Sequence, residues 1–212
     1  MMFIGVINKK DVKEQPSSPI RGTDLCEVVM TIGQGGPRMI TNQDLVRLKG
    51  TDEEAFELAE ARTAKEKFVA RSLQETLGLD FRNSGFTEDF SDEAAMTFDS
   101  VRDVYVLTNE SNSYGAGVLS RMDVLRDLYS KIGSFYILPA SRHEVLAIST
   151  EWDISIDDLK EMVKIVNSTE VRPEDWLSDQ VFEFDGRAFS MDADNNKKTV
   201  LDSKSECEGR VI

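Results

Sequence analysis

The chain alternates short apolar runs with polar, turn-forming stretches. Residues 3–7 are apolar and predict a short strand. Residues 8–24 hold Pro16, Ser17, Ser18, Pro19 and Gly22 and read mostly as loop. Residues 25–32 are apolar and β-branched, Gly33 to Pro37 form a turn, and residues 38–41 return, which makes a hairpin. Asn42 is placed to cap a short helix through Leu48, ended by Gly50. Thr51 and Glu54 have capping-box spacing. A helix is expected from there to Gly78, with Ala55, Leu58 and Ala59 on one side and Val69, Leu73 and Leu77 sharing a later face. Residues 80–98 change character: Phe81, Phe86, Phe90 and Phe98 sit among acids, as in a linker pinned to the core by its phenylalanines.

The second half is more regular. Residues 104–108 predict a strand, Asn109 to Ser113 a turn, and Tyr114 to Leu119 a return strand. Met122, Leu125, Leu128, Tyr129 and Ile132 fall at helical spacing before Gly133. Residues 135–138 and 144–148 read as strands. Ser155 caps a helix whose core face is Ile156, Leu159, Met162, Val163 and Val166, and Pro173 suits a first helical turn. Residues 181–184 and 188–191 alternate around Asp185-Gly186 as a hairpin. The fold class is α+β: antiparallel hairpins or a sheet, covered by helices on one side, in the form of two diverged hairpin-plus-helix units or of one sheet. The expected organisation is a hairpin-plus-helix unit over 1–80, an acidic linker over 81–100, an α+β unit over 101–191 and a polar tail over 192–212.

Charge narrows the choice of partners. The 212 residues carry a net charge of −14. Residues 51–100 hold 13 acidic against 5 basic side chains, and residues 151–212 hold 16 against 8. A direct nucleic-acid binder needs a basic face, and an anionic membrane surface needs one too, so both are set aside. Asp52, Glu53, Glu57, Glu60, Asp157, Asp158 and Glu161 form the candidate interaction surface, suited to another protein with a basic face. Cys26 and Cys207 are too far apart in sequence and context for a disulfide framework, which fits a reducing, cytoplasmic setting. The apolar start lacks a basic lead and a cleavage site, so it is not read as a signal peptide, and no run is long enough to span a membrane.

Three runs carry a resemblance: Y-V-L-T-N at 105–109, Y-G-A at 114–116, and Y-I-L-P-A-S-R-H-E-V at 136–145. They resemble an uncharacterised bacterial family, a domain of unknown function, whose usual form has Y-V-L-T-N, Y-G-A-A and Y-I-L-P-S-S-x-H-E-V. The stretch from Leu159 to Asp179 and the I-T-N-Q-D-L run at 40–45 are similar to it as well, so that the likeness covers roughly residues 4–190. The family is in turn distantly similar to YtpQ-like proteins. The resemblance implies no activity, substrate or cofactor. Ala140 stands where that family usually has Ser, and Gly117 where Ala is common. The chain begins inside the family's usual extent, as in a shortened member or a fragment.

Candidate chemistry is sparse. His143 is the only histidine, and with two distant cysteines it makes no zinc set; no metal or other cofactor is expected. Ser141 and His143 are the weak candidates for a hydrolytic pair, although they are two apart with no G-x-S-x-G elbow. The alternative is that both satisfy backbone groups in a tight connection after Pro139. Asn42 and Asn109 read as caps of turns or helices, and Gly33 to Gly36 as a hairpin turn without the lysine of a phosphate loop. Trp152 and Trp176 flank the last helix and are expected in packing roles. The functional expectation is a non-enzymatic protein-interaction or regulatory protein of a bacterium or mobile element. The alternatives are an acidic mimic of nucleic acid and a hydrolase built on Ser141 and His143.

Overall fold

Strand β1 (Met2–Asn8) lies antiparallel to the long β3 (Leu25–Gly33), whose other edge holds β2 (Ser17–Pro19) and β4 (Gly36–Met39) end to end, in a computed structural model that describes residues 1–72, 75, 104–139, 141–152 and 154–191. The hairpin β3–β4 closes across Gly33 and Gly36, where Gly36 takes φ +97°, a conformation that costs glycine little. Helix α1 (Asn42–Leu48) is capped by Thr41 and not by Asn42. The Thr41 hydroxyl accepts from the Asp44 N–H, and the Asp44 carboxylate accepts from the Thr41 N–H. Lys49, left-handed at φ 55°, ends that helix one residue before Gly50. Thr51 and Glu54 form the same reciprocal pair at the start of helix α2 (Asp52–Thr63).

Helix α2 stops at Thr63, far short of Gly78. Its buried stripe is Ala55, Ala59 and Thr63, and Leu58 points to solvent. The stop is tertiary: the Thr63 hydroxyl accepts the Ile4 N–H at 2.9 Å, tying the helix end to the free edge of β1. The chain then extends as β5 (Phe68–Ser72), which pairs with β6 (Val104–Asn109). Val69, expected on a helix face, lies in this strand; Leu73 and Leu77 lie outside the described residues, as do the phenylalanines of 80–98, Cys207 and the tail from 192.

The second sheet is fully antiparallel. Its order runs from β10 (Phe189–Ser190) through β9 (Phe182–Phe184), β7 (Phe135–Leu138), β8 (Val145–Ser149) and β6 to β5. Side chains alternate between two cores. Leu107, Phe135, Ile137, Val145, Ala147, Phe182 and Phe184 face helix α3 (Met122–Ile132) through Leu125 and Leu128. Val104, Tyr136, Leu138 and Ile148 face helix α4 (Ile156–Thr169) through Ile156, Leu159 and Val163. Helices therefore cover both faces of this sheet, which corrects the one-sided arrangement and explains why β7 is apolar at every position. Met162 and Val166 of the expected core face are exposed at 45% and 37%.

Tyr114 to Leu119 is not a return strand. Residues Gly115–Ser120 form a 3-10 turn with Ala116, Val118 and Leu119 buried between the two sheets, so the hairpin-plus-helix plan of the first half does not recur over 104–132. Residues 173–175 form a turn and Pro173 opens no helix. Val6 and Leu25 of the first sheet, with Ile20 just after β2, enter the same core cluster as Leu107 and Phe135 of the second. Among the described residues, no helix is long and apolar enough to cross a membrane.

Candidate functional site

The connection from β7 to β8 carries Ser141 and His143. Pro139 ends β7, and Ser141 forms an isolated antiparallel bridge with Trp176. The Ser141 hydroxyl oxygen accepts the N–H groups of His143 at 3.1 Å and Glu144 at 3.2 Å, which closes a tight turn. The His143 carbonyl accepts from the Thr108 hydroxyl at 2.8 Å. Gly115 packs against that pair so closely that a Cβ there would overlap Thr108 Oγ1 and the His143 carbonyl oxygen.

The imidazole is engaged at both nitrogens. Nδ1 accepts the backbone N–H of Tyr114 at 3.2 Å, and Tyr114 holds that N–H in place by taking the left-handed conformation, φ 56°. A nitrogen that accepts an N–H carries no proton, so the neutral ring bears its proton on Nε2 and donates it to Asp175 Oδ1 at 3.1 Å. Asp175 Oδ2 is held by the Arg172 guanidinium at 2.6 and 2.9 Å, and the Asp175 carbonyl accepts the Arg142 N–H at 2.8 Å. Burial pushes the Asp175 carboxyl up, but hydrogen bonds from Arg172 and His143 outweigh it and hold the group below its ordinary value.

The geometry has the outline of a catalytic set with one place filled. A carboxylate orients one ring nitrogen, as in a nucleophile–histidine–acid triad. The other nitrogen, which would take the proton of a nucleophile, faces an amide N–H with no proton to give up at neutral pH. Ser141 spends its hydroxyl on the turn: its oxygen accepts two amides and its proton points to the Glu144 carbonyl at 3.5 Å. Beside this knot lies a cleft of about 380 Å³, lined by Ser141, His143, Glu144, Leu146, Val166, Glu170, Val171, Arg172 and Asp175.

A second polar knot joins the end of β1 and the residue before β3 to the segment that precedes β9. Asp24 Oδ2 accepts from Asn8 Nδ2 and from the Ser178 hydroxyl, both at 2.8 Å, and Asn8 also donates to the Leu177 carbonyl at 2.9 Å. Next to it, Asp179 accepts from Asn167 at 2.7 Å and from the Trp176 indole at 3.0 Å, while the Lys10 ammonium lies 3.4 Å over the Trp176 ring. Burial pushes the Asp179 carboxyl up, and the Asn167 and Trp176 hydrogen bonds more than reverse it. Asn109 is buried and fully engaged: it donates to Glu66 and the Ser113 carbonyl and accepts from Ser111 and the Ser113 N–H.

The acidic candidates are all exposed, but the fold separates them. Asp52, Glu53, Glu57 and Glu60 line α2, which packs on the first sheet. Asp157, Asp158 and Glu161 lie on α4, which packs on the second. Among the described residues no three potential metal ligands cluster. Asp175, the partner of His143, carried no local signal of its own; the one pointer to it was the run from Leu159 to Asp179, where Asp175, Trp176, Ser178 and Asp179 turn out to hold both knots.

No curated protein and no solved structure matches the chain. A family model matches residues 25–186, the stretch that contains Thr108, Tyr114, His143 and Asp175. That model is described as a family of unknown function, DUF5688, and the chain belongs to this family.

Proposed function

We infer that this chain is a non-enzymatic binding or regulatory protein that acts on another protein in the cytoplasm of a bacterium. The observation that carries the reading is the state of His143: one ring nitrogen is given to Asp175 and the other to the Tyr114 amide, so the one histidine works as a fastener between the β7–β8 connection, the 108–115 segment and the 172–175 turn. Cys26, a buried free thiol, fits a reducing compartment. The exposed acids of α2 and α4 supply the surface for a partner with a basic face.

The test is affinity capture of the tagged chain from its native lysate at low and high salt, with mass spectrometry of what is retained. One stoichiometric partner is the expected result, and its loss at high salt assigns the acidic faces to the contact. If no protein is retained and a hydrolase panel is turned over in a way that His143→Ala abolishes, the reading fails in favour of an enzyme.

A further inference from the structure

We propose that the cleft beside α4 is a docking groove for a partner segment whose apolar side chains are flanked by lysine or arginine; the proposal rests on the binding reading above. The first observation is an apolar excess on α4. Ile156, Leu159 and Val163 satisfy the sheet, yet Met162, Ile165 and Val166 continue the apolar arc into solvent, with Ile165 exposed at 56%. These three are neighbours on one helix face, by their spacings of three and four. Of the three, Val166 lines the cleft, together with Leu146 and Val171, and Met162 and Ile165 lie beside it on the helix. A volume of about 380 Å³ is at the small end of pockets that accept an anchoring group.

The second observation is the sign of the rim. Glu144 and Glu170 line the cleft and are exposed, and neither takes part in an ion pair among the described residues. The cation at the rim, Arg172, is turned to Asp175 and Glu174. His143 is there turned to Asp175, at 3.1 Å. A cleft lined by Leu146, Val166 and Val171 and by two carboxylates outside any ion pair among the described residues complements a short segment with a bulky aliphatic or aromatic anchor and basic neighbours. It repels an acidic one.

A library of random short peptides displayed on phage is selected against the full chain. The enriched peptides are then titrated into wild type, Ile165→Glu and the double variant Glu144→Lys/Glu170→Lys. All three positions are exposed, and circular dichroism checks that each variant keeps its fold. The proposal expects enriched peptides that pair lysine or arginine with a bulky apolar residue, and binding that weakens about tenfold or more in each variant. An empty selection, acidic or uncharged winners, or equal binding to wild type and both variants overturns it. The binding reading is separated by the lysate experiment. A partner retained equally by wild type and the double variant removes the groove and leaves the reading in place. A wild-type chain that retains nothing removes both.

Discussion

His143 shows how one side chain can be read in two ways until its neighbours are known. The sequence marks it as the only histidine, two residues after a serine, and that much is compatible with a base. Asp175, 32 positions later, and the Tyr114 amide, 29 positions earlier, decide the matter, and neither has a local pattern that periodicity or spacing could reveal. The same holds for the Tyr114 backbone: a left-handed tyrosine has no sequence signature. The acid limb of stability checks the Asp175 end of the knot. Its carboxyl is held below the ordinary value, so the ionised form stabilises the fold above the usual carboxylate range, and that contribution is lost as pH falls through the depressed folded value. Asp175→Asn lacks this contribution at every pH. The stability gap between wild type and Asp175→Asn, measured by urea unfolding, is expected to be largest near neutrality and to shrink below about pH 4. A gap that grows on acidification contradicts the assignment.

At the scale of elements, the strong periodicities hold and the weak ones give way to tertiary contacts. α3 and the strands over 104–109, 135–138 and 145–149 follow the apolar pattern nearly residue for residue. The expected helix is interrupted over Phe68–Ser72 because a spacing of four at Val69 says nothing about the open edge of β6, which recruits these residues as a strand. The return strand at 114–119 fails for a different reason: nearly every residue there is buried, so neither face of a strand could be distinguished, and the close fit of Gly115 against Thr108 and His143 favours a compact turn. α4 yields the sharpest test of this kind. Leu159 is fully buried and Met162 is not, although both lie on the apolar arc. Leu159→Ala is expected to cost about 2–5 kcal/mol of unfolding free energy, while Met162→Ala stays within about 0.5 kcal/mol, both by chemical denaturation. Comparable losses at the two positions would place Met162 in the core and shorten the exposed apolar arc beside the proposed groove.

At the scale of the whole molecule, the described residues build two antiparallel sheets that share a core and are pinned beside it by polar groups. Val6, Ile20 and Leu25 supply the shared apolar surface, and Asn8, Asp24 and Ser178 the polar link. Buried polar groups with one shared acceptor couple strongly, because removing either leaves the other with an incomplete network. A double-mutant cycle on Asn8→Ala and Ser178→Ala is therefore expected to show a coupling of about 0.5–3 kcal/mol, and strict additivity would mean that the sheets are not held through Asp24. Charge was legible at this scale from composition alone, but its distribution was not: the acids of α2 and α4 are adjacent in kind and separated in space by the sheets they cover.

The tautomer of His143 tests the central claim most directly, and a single histidine makes the measurement unambiguous. A long-range proton–nitrogen correlation spectrum of the labelled chain at neutral pH should show the proton on Nε2, with Nδ1 unprotonated and unavailable behind the Tyr114 amide. A proton on Nδ1 and a free Nε2 would dissolve the knot with Asp175 and return His143 to the role of a general base.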